Sequence, residues 1–357
     1  MKQFEQIAQR RQALLANYPD RAEKVSQYRE EVITHLDKWQ ALAEETLAGK
    51  GTKVYHAQDA AEAKAIIQQL AGDAHKLCRI DSPELAEIGF DQIMAELDKP
   101  VAATDLDEII AREAGLLAAN RHPKLRDLEG LSQEEILAAL QKYVGSEDVQ
   151  DAGTLAKLTK QVIRGEIIAS DFGVTGIDAI VAENGTIVLA ENEGNGRMVS
   201  NLPYRHLVIA GLDKLYDTAE HAMESIQAGQ IYGLGRDNCS YYSFISGQSR
   251  TADIEFRMVY GMHGPLEVHL IFLDNGRSKL IEKGCGNVLK CVDCGACAAS
   301  LGRLAEANGW QGTLLTAKNV ALLKARGELG PVTGLEALEP FVCPAGVSAE
   351  DVKKALE

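Results

Sequence analysis

Residues 51–80 read GTKVYHAQDAAEAKAIIQQLAGDAHKLCRI. Gly51 to His56 has the composition of a short strand. Asp59 to Gln69 carries apolar residues at helical spacing, and Lys76 to Ile80 is a second short strand. A strand, an amphipathic helix and another strand in succession make the unit from which parallel sheets are built. The alternation continues outward. Glu84 to Leu97 is expected as a helix, Val101-Ala102-Ala103 as a strand and Leu106 to Ala114 as a helix. The fold class is therefore α/β with a parallel sheet. Residues 130 to 165 read mostly as helix, with Ser132 as N-cap and Glu135 at the capping-box position. From Asp178 the chain turns strand-rich. Segments 179–183 and 185–190 flank Asn184-Gly185, a hairpin-turn pair. Strands are expected at Leu207–Ala210, Tyr241–Ser246 and Leu266–Leu273, and a helix at Thr218–Ala228.

Before Gly49 the sequence is rich in helix formers and holds no glycine. Pro19 divides this stretch into two helices. Val25, Tyr28, Val32 and Leu36 recur at three- and four-residue spacing and form one apolar stripe. A single stripe wants one covered face, so the reading is a helical arm packed on the next domain, with a partner-binding arm as the alternative. After Gly284 come a cysteine-rich loop and helices at Ala298–Asn308, Ala317–Arg326 and Ala349–Leu356. The expected division is a helical N-terminal arm (1–48), an α/β domain (49–283) and a small helical cysteine-bearing segment (284–357).

The 357 residues carry a net charge of −15, from 37 Lys and Arg against 52 Asp and Glu. A nucleic-acid binder would show a basic face, so that role is not expected. The charge suits docking to a basic partner. Hydrophobic residues make up 46% of the chain, enough for a sizeable core, yet no apolar run reaches the roughly 18 residues that would span a bilayer. The opening MKQFEQIAQRRQ lacks the apolar region of a secretory signal. Cytoplasm is the expected compartment, and the cysteine usage agrees with it.

Cys291-Val292-Asp293-Cys294-Gly295-Ala296-Cys297 places three thiols at i, i+3 and i+6, with a glycine between the last two. Such a run lets the backbone curl around a compact inorganic core, as in [4Fe–4S] proteins. The cubane needs a fourth thiolate. The position where the bacterial run would supply it is Leu301, whereas Cys343-Pro344 lies further on, with 45 residues between Cys297 and Cys343. Cys285, just upstream, is the competing fourth ligand. Proline after a ligand cysteine belongs to the bacterial run and favours Cys343. Zinc suits the pattern less well, because its sites prefer two separated ligand pairs. The expectation is one [4Fe–4S] cluster on Cys291, Cys294, Cys297 and Cys343.

The densest polar clusters are Asp171-Phe172-Gly173-Val174-Thr175-Gly176, Glu183-Asn184-Gly185-Thr186 and Glu191 to Arg197. Glycines at strand ends permit close approach to a ligand. Thr175, Glu183, Asn195 and Arg197 are the substrate-binding candidates, with Arg197 able to clamp a carboxylate or phosphate. The alternative is that these are turns, with Arg197 paired to a neighbouring acid. Gly233-x-Gly235 and Gly194-x-Gly196 lack the third glycine of a dinucleotide fingerprint, and no Walker loop occurs. His122, before Pro123, is expected in a loop. Cys78 is expected as a small buried hydrophobe.

Gly173–Asp178, Ala182–Thr186, Asn192–Asn195 and Leu273–Arg277, followed by Cys-x-x-Cys-Gly-x-Cys, together resemble the lactate-utilisation (LUD) domain family. Within it the chain is most similar to the LutB-type iron–sulfur subunit. Thr104-Asp105-Leu106 echoes the family's Thr-Asp-Leu-Gly stretch, but Asp107 replaces the glycine, and Arg79-Ile80-Asp81-Ser82 lacks the lysine expected there. The resemblance implies a domain related to the NagB/RpiA/CoA-transferase-like fold and a ferredoxin-like C-terminal segment. It implies an iron–sulfur electron-transfer subunit of a complex that oxidises lactate, or a related 2-hydroxy acid, alongside a flavoprotein or further iron–sulfur subunits. LutB-like proteins usually carry two complete cysteine arrangements. This chain retains one triple and one remote Cys-Pro, so one cluster is expected. The alternatives are a CoA-transferase-like enzyme acting through Glu183, by analogy of fold alone, and a redox-sensing scaffold.

Overall fold

The computed structural model describes residues 2–116, 131–253, 256–310 and 316–357. His122 lies outside the described residues. Helices α1 (Lys2–Leu15), α2 (Arg21–Thr34) and α3 (Leu36–Gly49) open the chain. The alternating part follows as β1 (Thr52–Ala57), α4 (Ala60–Ala71), β2 (Leu77–Arg79), α5 (Pro83–Ile88), α6 (Phe90–Glu96), β3 (Val101–Ala103) and α7 (Leu106–Glu113). Then come α8 (Gln133–Val144), α9 (Ala152–Ile168), β4 (Phe172–Thr175), β5 (Ala179–Val181), β6 (Thr186–Glu191), α10 (Asn195–Asn201) and β7 (Arg205–Gly211). Next are β8 (Leu215–Tyr216), α11 (Ala219–Leu234), β9 (Tyr241–Ile245), β10 (Arg250–Thr251), β11 (Val259–Tyr260) and β12 (Glu267–Leu273). The last elements are α12 (Arg277–Glu282), a 3-10 turn (Gly286–Lys290), α13 (Ala298–Ala307), α14 (Ala317–Arg326) and α15 (Ala349–Leu356).

The α/β class read from residues 51–80 is the class observed. Six parallel strands form the main sheet in the order β1-β12-β7-β4-β2-β3. Side chains alternate across it with period two. Leu207 and Ile209 of β7 join the helices α4–α6 on one face, while Val208 and Ala210 face the other. Burial on both faces explains why these strands read as continuous apolar runs. From β2 the chain moves outward to β3, whereas from β4 it moves the opposite way, to β7. The crevice where these directions diverge, outside the carboxyl ends of β2 and β4, is where open α/β sheets bind ligands.

A second sheet, β8-β5-β6-β9, carries the Asn184-Gly185 hairpin, with β5 and β6 antiparallel as expected. Gly185 has φ of +66°, and a Cβ there would lie 2.5 Å from the Thr46 carbonyl carbon. Only glycine meets both demands. The N-terminal helices are not an appendage. Val32, Leu36, Ala43 and Leu47 cover the second face of the main sheet. Arg29 is fully buried and donates to the carbonyls of Asp213, Leu215, Leu289 and Lys290. Two further differences have local causes. The helix expected over Glu84–Leu97 breaks at Gly89, which sits in the left-handed region at φ 65°. The first 48 residues break at His35 as well as around Pro19.

The C-terminal helices gather around the 3-10 turn. Leu280, Val288, Leu301, Val320, Leu322 and Val352 share one core with Ile33 of α2. Cys78 is fully buried in β2, as expected, and burial pushes its thiol up to about 12.

Candidate functional site

A cleft of about 530 Å³ opens at the divergence point of the main sheet. Four strand ends contribute polar loops. Asp81 and Glu84 follow β2, Asp105 and Asp107 follow β3, Asp178 follows β4 and Lys214 follows β7. Asp293, from the cysteine loop, also lines the cleft. Eight lining residues are acidic and two, Lys214 and Arg236, are basic. The strand ends explain the arrangement: parallel strands deliver their successor residues to one side, whatever their separation in sequence.

Asp105 is held tightly. Its carboxylate accepts the Asp81 N–H at 2.6 Å and the Asn195 amide at 3.1 Å. The same amide donates to the Thr104 hydroxyl at 3.1 Å. Burial, reinforced by the nearby Asp81 charge, pushes the Asp105 carboxyl up to about 7. Glu84 is fully buried, and burial raises it too. Neither Glu84 oxygen has a hydrogen-bond partner among the described residues, and its nearest cation, Lys214, stands 3.6 Å away.

The shift of Asp105 has a definite consequence for stability. Its folded value lies above its unfolded one, so its contribution is present below about 3.8 and is lost as pH rises toward about 7. Asp105→Asn is therefore expected to gain on the parent protein by up to about 1.4 kcal/mol per pH unit across that window. Urea unfolding of both proteins at several pH values measures the difference. A constant gap would contradict the raised value.

Of the four substrate-binding candidates, the cleft gathers one. Asn195 lines it. Thr175 is buried at the end of β4, where its hydroxyl meets His206 Nε2 at 2.8 Å. Glu183 is exposed beside the hairpin, and its carboxylate accepts the Ala219 N–H at 3.0 Å, at the start of α11. Arg197 is exposed and stacks on the Tyr241 ring at 4.1 Å. The N–H groups of Gly196 and Arg197 are already taken by Glu191, at 2.6 and 2.9 Å, so the start of α10 is closed to an incoming anion. What sequence reading missed is a buried ionic chain. Lys214 reaches Asp293 at 2.8 Å, and Lys318 bridges Asp293 and Asp213, both at 2.6 Å. Arg277 then joins Asp213 to Glu87. The only signal in the sequence was charge pairs beside strand ends, such as Asp213-Lys214.

The cysteine loop rests on this chain. Asp293 and Gly295 both adopt positive φ, 53° and 72°, and curl the backbone between the thiols. The Asp293 N–H donates to Cys291 Sγ at 3.4 Å. A Cβ on Gly233 would lie 2.2 Å from the Cys294 carbonyl oxygen, so glycine lets α11 press against the loop. Cys343 returns to the same place. It packs with Val292 of the loop on one small cluster, and the Cys291 thiol is raised by burial first, then by Asp293, Cys297 and Cys343, against Lys318. Burial also raises Cys343, against hydrogen bonds from the N–H groups of Ala345, Val347 and Gly346 and the nearby Lys290 charge. Those amides would stabilise a thiolate. Cys285 points elsewhere, its Sγ facing the carbonyls of Lys283 and Lys354 at 3.7 and 3.6 Å. Among the described residues no three Cys, His, Asp or Glu side chains stand in ready metal-coordinating geometry. The donor set itself, soft sulfurs with backbone N–H groups aimed at them, is the kind that suits an iron–sulfur centre.

The LUD domain family model matches residues 41–273, and the chain belongs to that family. Within it the chain is similar to proteins named lactate utilization protein B. The protein of that name from Macrococcus caseolyticus is 30% identical over 288 residues, which is 79% of this chain and 58% of that protein. The "Uncharacterized electron transport protein YkgF" of Escherichia coli is 26% identical over 288 residues, again 79% of this chain and 58% of that protein. The chain thus spans less than two thirds of the length of these relatives. A solved duf162 family protein from Deinococcus radiodurans aligns over 67% of this chain and 98% of that one, at 16% identity and a TM-score of 0.37. No helix among the described residues is long and apolar enough to cross a membrane.

Proposed function

We propose that this chain is an electron-transfer subunit of a lactate-utilisation system, and that Cys291, Cys294, Cys297 and Cys343 hold one [4Fe–4S] cluster. The observation that carries the reading is the return of Cys343, remote in sequence, to the cysteine loop: it and Val292 pack against the same small cluster of Val25, Ala228 and Ala345. Bound there, the cluster would supply single-electron transfer. The relatives' names, lactate utilization protein B and electron transport protein, support the same role.

The cleft argues for a relay over a hydroxy-acid oxidase. Of its two basic lining residues, Lys214 is already engaged by Asp293 and faces Glu84, so the cleft offers a carboxylate substrate little free positive charge. Two-electron oxidation of a hydroxy acid also needs an electron-pair acceptor. A partner, a flavoprotein or another iron–sulfur subunit, would bind the acid and pass electrons on to this chain. The setting is cytoplasmic. The CoA-transferase-like alternative would act through Glu183, which stands outside the cleft and accepts the Ala219 N–H at the start of α11.

Anaerobic reconstitution tests the proposal. The expected result is acid-labile sulfide with a reduced-cluster EPR signal. Native mass spectrometry of the complex from cells should show iron in this chain and flavin in a partner. Protein that takes up neither iron nor sulfide refutes the reading.

A further inference from the structure

One side chain that holds the cysteine loop lies outside it. Lys318, on α14, is fully buried and contacts two carboxylates, Asp293 of the loop and Asp213 after β7. Lys214 grips the same Asp293 oxygen from the cleft side, at 2.8 Å. Asp293 sits between Cys291 and Cys294, and its conformation at positive φ is one that a side chain rarely adopts unaided. Its position is therefore fixed by two ammonium groups from two other elements. We propose that Lys318 is a positioning residue that, through Asp293, holds the 291–297 loop in its curled form and sets the reduction potential of the cluster on that loop. The inference rests on the cluster assignment above.

The argument is electrostatic. Adding one electron makes the cluster more negative by one unit, so a nearby buried cation favours the reduced form and a buried anion opposes it. Lys318 is close enough to Cys291 to act on its thiol, opposing the effects of burial and of Asp293. Lys214 and Lys318 on one side, and Asp293 and Asp213 on the other, nearly cancel. Such a balance shifts when one member changes charge, and the direction depends on which one. A loop that was merely loosened would have no reason to respond with opposite signs.

The test is an EPR-monitored redox titration of the reconstituted full chain, with iron and sulfide measured on each sample. Lys318→Gln is expected to lower the midpoint potential by at least a tenfold change in the reduction equilibrium, 59 mV for a one-electron couple. Asp293→Asn is expected to raise it, and Lys318→Arg to leave it near the parent value. Should Lys318→Gln fail to fold or lose its cluster, the rise in Asp293→Asn and the constancy of Lys318→Arg decide. Shifts of one sign in Lys318→Gln and Asp293→Asn, or no shift in a cluster-bearing Asp293→Asn, overturn the inference. A parent protein that takes up no cluster overturns the underlying assignment instead.

Discussion

Cys343→Ala is expected to lose the cluster: iron and sulfide fall from about four each per chain to near background, and the reduced-state EPR signal of that centre disappears. Cys285→Ala, with the same loss of one sulfur, should keep both. The contrast comes from where the fold sends each thiol. Cys343 packs with Val292 of the cysteine loop on one small cluster, and the backbone N–H groups of Ala345, Val347 and Gly346 favour its thiolate. Cys285 packs in the C-terminal helical core against carbonyl oxygens. A carbonyl cannot stabilise a thiolate, and turning Cys285 toward the loop would uncover that core. Cys343→Ala should also loosen the turn around Cys343 and Pro344, while α15 stays held by Val347, Val352 and Leu356 in the C-terminal core. Limited proteolysis of the reconstituted protein reads this as faster cleavage. If Cys285→Ala lost the cluster and Cys343→Ala kept it, the fourth ligand would be Cys285.

Different parts of this molecule were legible to different degrees, for physical reasons. Residues 51–80 gave the parallel sheet because a strand buried on both faces and an amphipathic helix have distinct periods. The Asn184-Gly185 hairpin was readable because positive φ restricts composition. The cleft was not readable. Its residues, Asp81, Asp105, Asp178 and Lys214, are single polar positions after four different strands, and only the sheet order makes them neighbours. Glu183 and Arg197 were readable as polar positions, but not in where the fold would place them. They sit in a dense polar stretch, but their groups meet local partners, an α11 N–H and the Tyr241 ring. The N-terminal helices showed their stripe, yet nothing in the sequence said that Arg29 would be buried among four backbone carbonyls from distant segments.

Asp213→Asn should be the most destabilising isosteric change in the molecule, at about 3–5 kcal/mol. Its carboxylate is fully buried between the Arg277 guanidinium and the Lys318 ammonium, which are fully buried themselves. Both cations would keep one acidic partner, Glu87 and Asp293 respectively, and lose the one they share. An amide cannot accept from both without turning its own N–H₂ toward a cation. Arg277 follows β12 and Lys318 lies on α14, so the shared carboxylate ties the main sheet to the C-terminal helices. The loss should therefore appear as early release of residues 284–357. Urea unfolding gives the magnitude, and hydrogen exchange should show α14 and α15 opening first. The pH dependence is a second check. Arg277 and Lys318 outweigh burial and hold the Asp213 carboxyl well below the usual carboxylate range. A depressed value stabilises above the unfolded one, near 3.8, and that stabilisation disappears as pH falls through the folded value. The gap between parent and Asp213→Asn should accordingly be full at neutral pH and close only below about pH 3.8. Because Lys318 is one of the two partners, Asp213→Asn combined with Lys318→Met should cost less than the two single changes summed, by roughly 0.5–3 kcal/mol. Strict additivity would mean that the two side chains do not act as a pair.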